Sequence, residues 1–228
     1  MDAGEYAVAA SLILLTGLLA ALSLRSAYRS LHNHEARELP WVGGLAIGAA
    51  AMAIETAVFF GASQPVLLQG YVFASAAIVG VLSLGAVHVL RRPLAERAYV
   101  AFTLVMVGVV AMFSFLTAPA SGMVSNGVIT GDPSLLLVVL SSLVTFPATV
   151  VLLLASAIAL RRSRRWQTIL LIAGALILGA GGTLYIASFP AVLYYAEFVG
   201  IVLLFFGLVS LPHPSGTPAP APTGLPTA

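Results

Sequence analysis

Seven long apolar stretches follow one another along the chain, separated by short polar segments. They lie at about 6–24, 41–61, 66–90, 98–118, 135–160, 166–187 and 190–211. A helix rising about 1.5 Å per residue crosses a hydrocarbon core of roughly 30 Å in about 20 residues, a length that each stretch provides. Every backbone polar group must also be paired within lipid. The pattern therefore predicts an all-α integral membrane protein with seven transmembrane helices.

The basic residues occupy alternate connections between these stretches. Three Arg follow the first stretch, three follow the third and four follow the fifth, whereas the connections near 62–65, 119–134 and 188–190 contain none. Cytoplasmic loops are enriched in basic residues, so we expect the N-terminus outside and the C-terminus inside. The segment Met1–Tyr6 carries two acids and no base. This is untypical of a cleaved signal peptide, and we expect the first span to be retained.

Composition supports a membrane protein and excludes several chemistries. The chain is 60% hydrophobic and 8% charged, against roughly 25% charged residues in soluble domains. Lys is absent, which excludes the retinal Schiff base of rhodopsins because that bond needs a Lys amine. Cys is absent too, which excludes disulfides, thiolate catalysis and Cys-ligated metals. We expect a multi-pass protein of the plasma membrane, with the lipid bilayer as its partner and no role in nucleic-acid binding.

The chain contains a candidate internal repeat. An offset of 125 residues aligns 41–86 with 166–211 without a gap. Trp41 then pairs with Trp166, and the sequence Ala-Ser-x-Pro recurs at the same place in both blocks. Both Trp residues also lie where a cytoplasmic interface favours an amphipathic ring.

The aligned blocks contain spans two and three, then spans six and seven. We therefore expect two parallel three-helix repeats, at about 6–90 and 135–211, joined by a linker helix at 98–118. Together they form a single transmembrane domain, 1–211. The remaining segment, 212–228, is rich in Pro, Ala and Thr and cannot build a core, so we expect a disordered cytoplasmic tail.

This three-plus-one-plus-three order, with the N-terminus outside, resembles the topology of the SWEET sugar transporters. The resemblance implies a solute path between the two repeats. It is limited to topology, because Pro147 is the single proline well inside a span and a repeated set of hinge prolines is missing.

Small residues in the second stretch predict close helix packing. Gly44 and Gly48 form a G-x-x-x-G pair in the sequence. Lipid provides no hydrophobic drive between helices, so small residues that let two backbones approach are common where transmembrane helices meet. We expect this face of span two to pack against a neighbouring helix.

Two acids within the spans are the candidate functional residues. Glu55 and Glu197 are the only carboxylates well inside a predicted span. Span two runs outward and span seven inward, so both acids are expected roughly 9 Å below the outer boundary. Acids within a membrane usually face the bundle interior and mark a function. Thr56 adjoins one acid, and Tyr194 shares the helix face of the other, completing a candidate binding or coupling site.

Other chemistries receive little support from the sequence. His32, His34 and Glu35 on a predicted loop form a weak metal-binding pattern, and we expect neither a metal site nor another cofactor. Spans six and seven contain no His, which argues against intramembrane zinc hydrolysis and bis-His haem ligation. No nucleophile–base set, glycine-rich phosphate loop or nucleotide motif is present, so an enzyme is not expected.

Two functions remain open at the level of sequence. In the first, the protein transports a small solute or ion between the repeats, and the two acids share a proton, bind a cation or accept hydrogen bonds from the solute. In the second, it is a non-catalytic accessory subunit of a larger membrane complex, and each acid joins two helices by a hydrogen bond. Partner subunits or further copies of the chain are compatible with both.

Overall fold

The computed structural model describes five long helices and a short hairpin. The described residues are 3–33, 39–90, 92–119, 122–125, 128–129 and 134–163, with short helical pieces between 169 and 206. The helices are α1 (Ala3–Asn33), α2 (Leu39–Phe59), α3 (Pro65–Ala86), α4 (Pro93–Leu116) and α5 (Leu135–Ser163). A 3-10 turn, Val87–Leu90, follows α3.

All five helices are long and apolar enough to cross a membrane. They confirm the all-α class and coincide with the first five predicted spans, so the protein is a polytopic α-helical membrane protein. The predicted spans at 166–187 and 190–211 lie largely outside the described residues. The same is true of Trp166 and the tail 212–228, so the seven-helix count and the repeat stay predictions.

Proline fixes the start of two helices. Pro65 and Pro93 occupy the first turn of α3 and α4. Proline suits this position because the N–H that it lacks would have no partner within the helix. The preceding residues, Gln64 and Arg92, have extended backbones, as steric contact with a following proline requires.

A glycine ends α2 and reverses the chain. Gly61 has a φ of 98°, a left-handed conformation that favours glycine. The N–H of Ala62 donates to the carbonyl of Ala57, and the N–H of Gly61 donates to the carbonyl of Val58, both at 2.9 Å. These two bonds are those of a Schellman cap. After this tight reversal, α3 returns antiparallel along α2.

The helices pack in chain order, with α3 shared between two groups. Helix α2 contacts α1 and α3, and α3 also contacts α4 and α5. The largest buried cluster lies among α1, α2 and α3, and its members include Leu12, Leu19, Met52, Val58 and Leu68. Among the described helices, α3 therefore has the most helix neighbours.

A two-stranded hairpin between α4 and α5 covers one end of this cluster. Strands β1 (Val124–Ser125) and β2 (Val128–Ile129) pair antiparallel, with Val124 opposite Ile129. Met123 and Ile129 are buried in the same cluster as Leu12, and β2 contacts α2. We call this the hairpin end of the bundle.

Glycine allows the close approach of α2 and α3. A Cβ atom placed on Gly44 would lie 2.6 Å from Cγ of Leu82 and 3.2 Å from its backbone nitrogen. A Cβ on Gly48 would lie 2.6 Å from Cδ1 of Ile78. All three distances are shorter than van der Waals contact, so the G-x-x-x-G face of α2 packs closely on α3, as predicted.

Helix α1 extends beyond the predicted span of 6–24. It continues to Asn33, through a segment that contains Arg25 and no Gly or Pro. Polar residues end the apolar stretch but do not end the helix. Arg, Ala and Leu have high helix propensity, so the backbone hydrogen bonds of the helix continue in water. The chain therefore leaves the predicted membrane region as helix.

The arginines gather at the end opposite the hairpin. The described Arg side chains are all exposed, and they are Arg25, Arg92, Arg97 and Arg161. They lie late in α1, at the start of α4 and late in α5, which is the same end of these alternating helices. We call it the arginine end, and the basic loops predict that it faces the cytoplasm.

Candidate functional site

Glu55 lies on the buried face of α2, one turn before the helix ends. Its side chain is 2% exposed. Ala51, Met52 and Val58, three or four residues away, are also buried, so they share this face of the helix. An acid thus takes a position that the helical period would otherwise give to an apolar residue. Met52 and Val58 belong to the buried cluster that α2 shares with α1, α3 and the hairpin.

Tyr71 of α3 is the hydrogen-bond partner of this acid. Its hydroxyl donates to Oε1 of Glu55 at 2.6 Å, and both residues are buried. Charge-assisted O–H bonds to carboxylates have this length. Glu55 and Tyr71 meet because each lies eight residues from Ser63 in the tight turn between α2 and α3, and residues equidistant from such a turn lie at the same depth in antiparallel helices.

The second carboxyl oxygen is open. Oε2 of Glu55 is buried and has no hydrogen-bond partner among the described residues. A buried polar atom left without a partner lowers stability by about 1–3 kcal/mol. Such an oxygen can carry a proton, accept a hydrogen bond from a solute or contribute to a cation site. The carboxyl is therefore held by one oxygen and chemically available at the other.

Thr56 is next to Glu55 in the sequence, but its hydroxyl does not bond to the Glu55 carboxyl. The Thr56 hydroxyl donates to the backbone carbonyl of Met52 at 2.7 Å, within its own helix. Neighbouring residues in a helix point about 100° apart, since a turn takes 3.6 residues. The structure therefore joins Glu55 to Tyr71 rather than to Thr56.

Two predicted site residues lie outside the described part of the chain. They are Glu197 and Tyr194, and their contact with Glu55 stays a prediction. Tyr71, by contrast, was missed at the level of sequence. The signal was available, because Tyr71 and Glu55 are equally far from the turn that contains Ser63.

Two further polar contacts join neighbouring helices. Oγ of Ser83 lies 2.6 Å from the hydroxyl of Tyr99 and also donates to the carbonyl of Gly80, which links α3 to α4. The Ser23 hydroxyl of α1 donates to the carbonyl of Val42 in α2 at 3.1 Å. These contacts are hydrogen-bonded joints between helices, and they differ from Glu55 in leaving no buried carboxyl oxygen open.

His32, the first residue of the weak metal-binding pattern, was predicted on a loop but lies in the last turn of α1. His32 stacks on Tyr28, with ring centroids 5.7 Å apart and planes at 9°. His34 and Glu35 lie outside the described residues. Within the described residues, His, Asp and Glu do not gather in threes as a metal site requires.

Known proteins add no further guide to this site. Comparisons of the chain with protein-family models, with curated proteins and with solved structures found no match. Any function must therefore be inferred from the chemistry of the site. The residues that carry that chemistry are Glu55 and Tyr71, set in the apolar core of a polytopic membrane protein.

Proposed function

We propose that the protein transports a small solute or ion across the plasma membrane, and that Glu55 carries the coupling proton or cation. The supporting observation is the half-paired carboxyl. Tyr71 holds Oε1, whereas Oε2 is buried without a partner among the described residues. Ionisable groups at such positions are expensive within a membrane and commonly mark ion or proton pathways.

The chemistry of a half-paired carboxyl suits coupling. A carboxyl that is protonated at Oε2 is neutral and tolerates an apolar core. When the proton leaves, the carboxylate needs a cation or a donor, because an unpaired buried charge is costly. A proton on Oε2 therefore excludes a cation or solute from this oxygen, and a bound cation or solute excludes the proton. Tyr71 can donate to Oε1 in both states and so keeps the carboxyl oriented.

The proposed path runs between the two three-helix repeats. In this scheme Glu197 and Tyr194 face Glu55 from the second repeat, and Thr56 lies beside the path. The candidate repeat and the equal expected depth of the two acids support this arrangement. Transport through it involves no bond making or breaking, so the proposed function is not enzymatic.

Flux through reconstituted protein tests the proposal. The purified full chain is placed in liposomes, and proton movement is followed with a pH-sensitive dye while Na⁺, K⁺, neutral sugars and amino acids are offered in turn. We expect Glu55→Gln and Glu197→Gln each to reduce the coupled flux at least about tenfold, since either removes a titrating carboxyl. Glu96→Gln is the matched control, because Glu96 lies in the first turn of α4 at the arginine end.

The alternative is a structural subunit of a membrane complex. The bond between Glu55 and Tyr71 joins α2 to α3, which by itself is the role of polar glue between helices. If the protein is a structural subunit, the wild type should show no flux with any solute, and partner subunits should copurify with it in a fixed ratio. Equal flux in wild type and Glu55→Gln would also contradict the coupling role.

A further inference from the structure

A cavity separate from Glu55 opens at the hairpin end of the bundle. Its volume is about 140 Å³, and it lies among α3, α4, the segment after α4 and the start of α5. Glu55 and Tyr71 are not among the residues that line it. We propose that this cavity binds a small uncharged molecule that carries a hydroxyl group. The proposal does not depend on transport.

The volume of the cavity sets the size of the ligand. An engineered apolar cavity of about 150 Å³ in another protein holds benzene. The present cavity, at about 140 Å³, is therefore large enough for a six-membered ring or a short branched chain. Leu68 and Val72 of α3 and Leu137 of α5 supply apolar walls. These walls favour a ligand that is largely hydrocarbon.

The walls also determine the charge of the ligand. None of the described residues that line the cavity is charged. An ion placed there would lose its hydration without gaining a partner of opposite charge, which is strongly unfavourable. The cavity therefore selects against ions and accepts neutral molecules.

Ser114 supplies the polar contact. This residue of α4 lines the cavity and is 1% exposed. Its Oγ is buried and has no hydrogen-bond partner among the described residues. Buried hydroxyls in folded proteins are nearly always hydrogen-bonded, so an open one at the wall of a cavity indicates a missing partner. A ligand hydroxyl can accept from Ser114 or donate to it.

Two other polar side chains of the lining, Gln69 and Ser134, bond to the backbone. The amide nitrogen of Gln69 donates to the carbonyls of Phe115 at 3.2 Å and Thr117 at 2.9 Å. These bonds tie the first turns of α3 to the end of α4, beside Ser114. Oγ of Ser134 accepts the N–H of Leu137 at 3.4 Å and caps α5. These bonds hold the rim of the cavity in place, and Ser114 is the lining residue whose hydroxyl is buried without a partner among the described residues.

Binding of two matched probes tests the proposal. The full chain is placed in lipid nanodiscs, and ¹⁹F NMR follows 4-fluorophenol and 4-fluorotoluene, which have similar shapes and differ in the hydroxyl. Empty nanodiscs give the contribution of partition into lipid. We expect saturable binding of 4-fluorophenol to the wild type. Ser114→Ala should weaken it about 3- to 10-fold, as loss of one hydrogen bond does, and leave 4-fluorotoluene unchanged.

Filled cavities provide the second arm of the test. Val72→Phe fills the cavity from α3, and Ala118→Phe fills it from the exposed rim. The test can be made if at least one of these two variants folds. Each should abolish saturable binding. The controls are Val105→Phe, on a side chain that is 64% exposed on α4, and Ser141→Ala, whose hydroxyl bonds within its own helix. Both should bind as the wild type does.

Three results would overturn the proposal. The first is 4-fluorophenol binding that does not exceed that of empty nanodiscs. The second is undiminished binding by both filled variants, provided that their unfolding temperatures match the wild type. The third is equal affinity for the two probes together with no effect of Ser114→Ala, which would make the cavity an apolar crevice for lipid chains. Loss of flux in the transport assay changes none of these readings.

Discussion

At the scale of single residues, the carboxyl of Glu55 has two oxygens in different states. Oε1 accepts from Tyr71, and Oε2 is open among the described residues. A substitution that removes the hydroxyl of Tyr71 leaves both oxygens without partners, whereas one that removes both polar groups leaves an apolar contact. The first kind of change should therefore lower stability, whereas the second should leave it close to that of the wild type.

We predict that Tyr71→Phe lowers the free energy of unfolding by about 1 kcal/mol, the usual size of an interhelical hydrogen bond in a membrane. Adding Glu55→Leu should restore most of the loss, because no buried polar atom then remains. Unfolding in mixed detergent micelles, followed by circular dichroism, measures both effects. Tyr28→Phe, on an exposed ring of α1, is the control and should be neutral. Additive losses in the double variant would mean that the bond is not energetically coupled.

The burial of Glu55 was predicted from the sequence. Its partner Tyr71 was not, although the sequence contained the information needed. An acid within an apolar helix must face the bundle interior, and Glu55 does. Tyr71 follows from counting away from the turn, given that α2 and α3 are antiparallel neighbours. The open state of Oε2 could not be predicted, because it depends on how the side chains pack around the carboxyl once the helices have come together.

At the scale of helices, the close contact between α2 and α3 depends on glycines, which have no side chain. Gly44 lies against Leu82, and Gly48 lies against Ile78. The packing of transmembrane helices comes largely from such close van der Waals contact. A single methyl group at this interface must therefore move a backbone or force a side chain out of its rotamer.

We predict that Gly44→Ala lowers the free energy of unfolding by about 1–3 kcal/mol, the usual effect of overpacking. The same change at Gly108 should not destabilise the protein, because a Cβ there meets no atom within 4 Å and Ala is the better helix former. Detergent unfolding of the two variants side by side measures the difference. Equal stability of both would show that α2 and α3 can separate slightly without loss.

Most helix positions could be predicted from the sequence, and the exceptions have physical reasons. The second, third and fifth spans match α2, α3 and α5 within a few residues, because apolar length sets them. Helix α4 begins at Pro93 and not at 98, because the polar residues before the apolar stretch are compatible with a helix that a proline starts. Helix α1 runs longer because polar residues do not stop a helix. The hairpin was missed, although Asn126-Gly127 is a strong hairpin signal in sequence, because only two residues pair on each strand.

At the scale of the whole molecule, the described helices expose many large apolar side chains. Examples are Leu14, Leu104, Val105 and Phe146, all about half exposed or more. Soluble monomers rarely expose apolar surface of this extent to water. In the membrane, lipid or the two further predicted spans must therefore cover these faces.

We predict that the two ends of α5 lie on opposite sides of the membrane. Its 29 residues reach roughly 43 Å at about 1.5 Å per residue, more than the hydrocarbon core. The chain has no Cys, so Ser125→Cys and Ser163→Cys each introduce a single thiol. An impermeant thiol reagent on intact cells should label the first, and the second only after permeabilisation. The reverse pattern would invert the orientation, and labelling of both would mean that α5 does not cross.

The position of the hairpin also constrains the order of biosynthesis. Met123 and Ile129 complete the core formed by the first three helices, yet the ribosome makes them only after α4. A nascent chain that ends before Ile129 can pair α1, α2 and α3 but leaves their hairpin end uncovered. The apolar cluster of the first three helices is therefore completed only when a segment about 70 residues downstream of Glu55 has been made.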